Sequence, residues 1–232
     1  MAKKFVLTSI NHGIGEIILN RPEKRNALTG PFVNDLHSAL QTLIADSSCV
    51  VIILRGAGGA FSAGLDTEAF NKKPSPPWRQ TFQEDWANLH NKFFLCPKPI
   101  IGVLERYAIA GGAALAFACD FLVVGESSYL HVSEVNMGLM APINTAWLGN
   151  RYSHALGLKL ALQGEPIYGC ELLQLGIATR CCEDSEVLSE ALKLGNRLVK
   201  NNTETLQGLK LGLRKAKRLD NFHQLLREVR SR

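Results

Sequence analysis

No stretch of this 232-residue chain holds the roughly 18 consecutive apolar residues that a membrane-spanning helix needs. The opening MAKKFVLTSI carries two lysines but has no apolar core region and no small-residue cleavage site, so a soluble, cytoplasmic protein is expected. Aromatic residues make up only 7% and charged residues 20%, against 46% hydrophobic. That balance excludes a disordered chain and implies a large buried core. The six cysteines, at 49, 96, 119, 170, 181 and 182, show no CxxC or Cys/His ligand spacing, so no metal site is expected. Several lie in apolar runs, where free thiols pack as small hydrophobes, and this suits a reducing compartment.

Acidic residues are scarce toward the end of the chain. The net charge is +5, and much of it lies in LKLGLRKAKRLDNFHQLLREVRSR, where Lys210, Arg214, Lys215, Lys217, Arg218, Arg227, Arg230 and Arg232 recur at helical spacings. A solvated helix face is the plainer account of them. No interleaved aromatics or nucleic-acid motif accompany these cations, so nucleic acid is an unlikely partner.

What is present is an alternation of short aliphatic runs, glycine loops and amphipathic segments. FVLTSI and IGEIIL flank Asn11-His12-Gly13 and read as paired strands with a tight turn. Residues 31–46 place Phe32, Leu36, Leu40 and Leu43 at helical intervals, and a strand VVIILR follows at 50–55. The glycine loop GAGGAFSAGLD, a short helix, the exposed connection KKPSPPW and a helix over about 79–95 come next. The plan then repeats: strand PIIGVL, the run YAIAGGAALAFACD, and strand FLVVGE from 121. From 144 onward the pattern is mostly helical. The expected class is α/β, with a core over 1–140 and a helical lobe over 141–232.

Each glycine loop follows a buried strand and precedes a helix, so each can aim unpaired backbone N–H groups at an anion or a developing oxyanion. GAGGAFSAG lacks the GK[ST] ending of a P-loop, and AGGAALA lacks the G-x-G-x-x-G spacing. Two donors converging on one carbonyl oxygen fit better, with Gly111 and Gly112 letting a ligand approach the backbone. Ser62 has no G-x-S-x-G context or ordered His/Asp set that would make it a nucleophile.

The segments IILNRPEKRNAL, GAGGAFSAGLD, KPIIGVLERYAIAGGAALAFACD and SEVNMGLMAP, in this order, resemble the crotonase, or enoyl-CoA hydratase/isomerase, family of acyl-CoA enzymes. GEPIYGCELLQLGIATR resembles the family's helical continuation. The resemblance implies a spiral of strand-strand-helix turns and C-terminal helices that complete a homotrimer or a dimer of trimers. It further implies an acyl-CoA substrate, with no separate cofactor. The N–H groups of Ala63 and Gly111 should form the oxyanion hole. Lys24, Arg25 and Ala27 should lie along the CoA nucleotide, and Ala63, Gly64, Leu65, Asp66 and Gly112 beside the pantetheine and thioester.

Hydratases of this family use two glutamates around the bound double bond. Here the first position is Ala114 and the second is Glu134. One carboxylate suits double-bond migration, in which a single base carries a proton from C2 to C4 while the oxyanion hole holds the dienolate. The flanks resemble mitochondrial-type delta-3-delta-2-enoyl-CoA isomerases, and isomerisation during β-oxidation is the expected activity. The alternatives are a hydratase or another crotonase reaction, and a non-catalytic CoA- or RNA-binding member. His131, Asn136 and Asn144 are lesser candidates, while Trp147, Met137, Leu139 and Met140 are expected in the core or along the acyl pocket. Family members commonly carry a further C-terminal helix. With the end at Arg232, the neighbouring subunit of a trimer is a candidate source of that wall.

Overall fold

The computed structural model describes residues 4–217 and 220–230. Expectations that fall on Lys3, Arg218 and Arg232 lie outside the described residues.

Strands β1 (Val6–Asn11) and β2 (Ile14–Leu19) are antiparallel, with Asn11 opposite Ile14. His12 and Gly13 turn the chain with φ of 47° and 81°, the left-handed pair that matches the twist of a two-residue hairpin. Helix α1 (Gly30–Ala45) is capped by Thr29, whose side chain accepts from the Phe32 amide. At its other end the buried Lys98 ammonium donates to the carbonyls of Leu43 at 2.6 Å and Asp46 at 2.7 Å, where the helix dipole favours a cation.

Next come β3 (Val51–Gly56), the single-turn α2 (Thr67–Phe70) and α3 (Phe82–Leu95). Helix α3 starts later than expected because Pro77–Arg79 form a separate 3-10 turn. Then follow β4 (Ile100–Leu104), β5 (Tyr107–Ile109), α4 (Gly111–Ala118), β6 (Phe121–Gly125) and β7 (Tyr129–His131). The rest comprises α5 (Pro142–Arg151), α6 (His154–Gln163), β8 (Ile167–Tyr168), α7 (Gly169–Gln174), β9 (Arg180–Cys182), α8 (Val187–Val199), α9 (Thr203–Ala216) and α10 (Phe222–Arg230).

The strands form two sheets, a large one ordered β1-β2-β3-β4-β6-β9 and a small one ordered β5-β7-β8. From β2 to β9 the large sheet is parallel, so both faces must be covered. In β3, Val51 and Ile53 point with Ile101, Val103 and Val123 to a cluster closed by Val187 and Ala191 of α8. Ile52 and Leu54 point the other way, into the main core with Phe32, Leu36 and Phe93. Burying each such side chain contributes about 1.5–3 kcal/mol before entropy is counted.

The repeated unit is a strand in the large sheet, a short strand in the small one, then a helix. β4-β5-α4 is the clearest instance, and Ser62 extends the small layer by bridging to Ala108. This is the spiral that the resemblance implied.

The C-terminal stretch is less separate than expected, because β8 and β9 from beyond residue 140 join the small and large sheets respectively. Two-residue and three-residue strands carry too little period to be read from sequence. Helix α10 packs against α3 and α5 of the same chain, with Phe222 buried against His90, Phe94 and Trp147. This C-terminal helix therefore covers the α3 and α5 surface of its own chain.

Trp147 is core, as anticipated, but Met137, Leu139 and Met140 are exposed. The basic face of α9 is also not simply solvated. Lys210 binds Asp120 and the Lys98 carbonyl, Arg214 binds the Phe94 carbonyl, and Lys217 binds the Asn150 carbonyl. All six cysteines are free, and among the described residues no helix is long and apolar enough to cross a membrane.

Candidate active site

The two glycine loops meet at the N-terminus of α4. Gly64 has φ of 83°, and a Cβ there would lie 2.7 Å from the Ile109 carbonyl oxygen and 3.3 Å from the Gly111 nitrogen. Only glycine permits this approach. Gly112 is a packing glycine, since a Cβ on it would strike the Ser62 carbonyl oxygen. Close backbone packing, rather than ligand approach alone, accounts for it.

The loop before α1 is stitched to the same place. Asn26, fully buried with φ of 54°, donates to the carbonyls of Ala57 at 2.9 Å and Ala60 at 2.7 Å and accepts from the Arg21 amide. Ser62 Oγ donates to the Asn26 carbonyl and accepts from the Gly64 amide, so the serine braces the loop and is not a nucleophile.

This stitching corrects one assignment. The Ala63 N–H donates to the Arg25 carbonyl at 3.0 Å and is not available to a ligand. Leu65, two residues on, bridges to Leu28 in parallel register. That bridge uses the Gly64 carbonyl and the Asp66 amide, which turns the Leu65 N–H to the opposite side. Among the described residues it has no partner. Gly111 opens α4, so its N–H has no intrahelical partner either, and none is found outside the helix. Leu28 and Trp86 flank Gly111, 3.0 Å and 3.6 Å from where a Cβ would sit.

Ala110, immediately before Gly111, has φ of 49° and ψ of −112°, a conformation costing about 1–3 kcal/mol in a residue with a Cβ. It is held by its amide bond to the His131 carbonyl at 2.8 Å. Its own carbonyl accepts from the Ala114 amide at 3.1 Å and from Asn144 Nδ2 at 3.1 Å.

Glu134 follows β7, as Gly111 follows β5, and those strands are paired in parallel. The carboxylate and the N-terminus of α4 therefore share one end of the small sheet. The Glu134 loop is fixed by His131 Nε2 and Asn136 Nδ2, which contact the Gly164 carbonyl at 2.8 Å and 2.6 Å. These two side chains hold the loop.

Asn144 Nδ2 donates to Glu134 Oε1 at 2.9 Å. Glu134 Oε2 is buried and has no partner among the described residues. Burial raises the Glu134 carboxyl above its ordinary range. Backbone amides, Asn144 and the nearby His131 pull the other way without cancelling it. Ala114 is fully buried in the apolar face of α4.

The residues expected along the CoA divide. Arg25 lies exposed with φ of 54° and has no side-chain partner. Lys24 forms a surface pair with Glu68 at 2.8 Å, and Ala27 is buried. Asp66 caps α2 through the Ala69 amide at 2.8 Å and pairs with Arg21 at 2.7 Å. Burial opposes its charge, but those two partners outweigh burial and keep the carboxyl below the usual range. Asp66 therefore serves structure. Sequence reading missed the Leu65 donor, the strained Ala110 and Asn26. Only the Asn in RNAL gave a signal, as a residue that tolerates the left-handed region.

The chain resembles known proteins over nearly its whole length. It is 29% identical to the Rattus norvegicus mitochondrial Delta(3,5)-Delta(2,4)-dienoyl-CoA isomerase, covering 89% of this chain and 67% of that one. It is also 29% identical to the Escherichia coli 2,3-dehydroadipyl-CoA hydratase, covering 86% and 78%. A solved enoyl-CoA hydratase from Mycobacterium avium subsp. paratuberculosis superposes with a TM-score of 0.87 over 99% of this chain and 92% of that one, at 23% identity. The enoyl-CoA hydratase/isomerase family model matches residues 9–231, and the chain belongs to that family.

Proposed function

We propose that the protein is an enoyl-CoA isomerase that moves a 3-enoyl double bond to the 2-position. The observation that carries this reading is Glu134, one carboxylate with a bare buried oxygen and a raised pKa, at the same sheet end as the unpartnered Gly111 amide. Glu134 Oε2 takes a proton from C2, and the C3=C4 electrons delocalise into a dienolate. The thioester oxygen then carries the charge between the Leu65 and Gly111 N–H groups, each worth about 3 kcal/mol to such an oxyanion. Glu134 returns the proton at C4, leaving the double bond between C2 and C3. Burial of the carboxyl suits both transfers, because its proton affinity lies closer to neutrality.

Ala114 supports the choice. By the family resemblance this is where hydratases place the first of their two acids, and here it contributes only a methyl group. Arg25, exposed and without a side-chain hydrogen-bond or ion-pair partner among the described residues, is our candidate for the CoA phosphates. Exposed Met140, Leu162 and Leu213, at 69%, 64% and 73%, favour assembly into a homotrimer or a dimer of trimers.

A hydratase is the second reading, favoured by the Asn144 Oδ1 atom, a buried acceptor with no partner that suits a water molecule. An RNA-binding role has less support, because Lys210, Arg214 and Lys217 are engaged within the fold. The deciding experiment assays 3-hexenoyl-CoA isomerisation beside crotonyl-CoA hydration, with Glu134→Gln as control. Isomerisation that survives Glu134→Gln sinks the assignment, and hydration without isomerisation selects the second reading.

A further inference from the structure

We propose that Asn144 is the positioning residue for the base. Its amide N–H pair, divided between Glu134 Oε1 and the Ala110 carbonyl, anchors the carboxylate by one oxygen, ties it to the N-terminus of α4, and leaves Oε2 as the proton carrier.

Both neighbours of Nδ2 are acceptors, at 2.9 Å and 3.1 Å, so the orientation of the amide is forced. Asn144 is 2% exposed and comes from α5, which packs on α4. The side chain therefore has little freedom. An asparagine placed only for structure would satisfy both of its ends. This one leaves Oδ1 buried and unpaired while Nδ2 serves two acceptors, so the position is organised around the donor end.

The two acceptors belong to the two halves of the site. Ala110 is the strained residue whose conformation orients the Gly111 amide, and Glu134 carries the proton. One neutral side chain thus fixes the distance between proton acceptor and oxyanion donor. A loose carboxylate could present either oxygen, whereas this one presents Oε2 alone. Being uncharged, Asn144 does this without adding a second titrating group. The titratable side chain facing Glu134 is His131, whose Nε2 is committed to the Gly164 carbonyl.

The sign of the effect follows from the geometry. The Asn144 hydrogen bond favours the charged carboxylate, so its removal must raise the Glu134 titration further. The inference rests on Glu134 being the base, but its test does not depend on which acyl-CoA is turned over. The Glu134 carboxyl band, isolated by infrared difference against Glu134→Gln, is titrated in the wild type, in Asn144→Leu and in Asn144→Ala. His131 does not contribute to that band. The midpoint is expected to move to higher pH in both variants, each of which removes the hydrogen bond without adding a charge.

Alpha-proton exchange of butyryl-CoA in deuterium oxide should slow roughly ten- to hundredfold in Asn144→Leu, with KM unchanged. If Asn144→Leu does not fold, Asn144→Ala carries the reading. A midpoint unmoved in the folded variants overturns the proposal, as does exchange at the wild-type rate in Asn144→Leu. A wild type that exchanges the α-proton but does not isomerise 3-hexenoyl-CoA overturns the isomerase reading and leaves the Asn144 inference standing.

Discussion

The Ala63 amide donates to the Arg25 carbonyl at 3.0 Å, and this bond separates a structural amide from a free one two residues away. Replacing the Leu65 amide with an ester, which deletes only the N–H, should lower kcat about 10²–10³-fold. The same change at Ala63 should leave kcat within a few-fold and lower stability by about 1 kcal/mol. Single-turnover rates and thermal melts of the two esters distinguish the roles. Equal kinetic losses at both positions would contradict them.

Glu134→Gln should abolish proton transfer and also change the pH dependence of stability. Burial raises the folded-state Glu134 pKa above its ordinary 4.5. The stability its protonated form contributes is thus present below that value and lost as pH rises through the folded pKa. The variant should therefore melt higher than the wild type near pH 8, with the difference shrinking toward pH 4. Activity runs the opposite way, falling as acid protonates the base. Melting curves and kcat across that range check both signs.

The nucleotide end yields an ordering of variants. Arg25 has no side-chain partner, whereas Lys24 is held by Glu68. Arg25→Ala should raise the KM of a CoA thioester about tenfold, as expected for a charged hydrogen bond. Lys24→Ala should do less, and Glu68→Ala should lower KM by freeing the lysine. Raising salt should shrink all three differences. A wild-type KM in Arg25→Ala would remove that residue from the site.

Helix α9 is secured by Asp120, which binds Lys210 at 2.6 Å, Arg151 at 3.5 Å and the Ile100 amide at 2.8 Å. Asp120→Ala leaves two half-buried cations without their partner and should cost about 1–3 kcal/mol in a denaturant titration. Charge reversal of exposed Lys215 should cost under about 0.5 kcal/mol.

Elements with enough period were legible in the sequence. The Asn11-His12-Gly13 turn, α1 with its Phe32-Leu36-Leu40 spacing, and the aliphatic β3 and β4 were all anticipated within a few residues. β8 and β9 were not, since each is defined by its pairing partner rather than by its own composition. Met137, Leu139 and Met140 were expected in the core or along the acyl pocket; they are exposed, and hydrophobicity alone does not say which apolar side chains a single subunit leaves uncovered.

The α/β class, the family resemblance and the combination of Glu134 with an alanine at position 114 can be read from the amino-acid order alone. Those features reside in residue type and order. Which amides are free depends on the packed chain, because a backbone N–H is the same in every residue and its availability is set by what lies opposite. The Arg25 carbonyl takes the Ala63 amide, and the bridge to Leu28 releases that of Leu65. Asn144, ten residues from Glu134 in sequence, became part of the site only when α5 packed on α4 and set its amide between a carboxylate and a strained carbonyl.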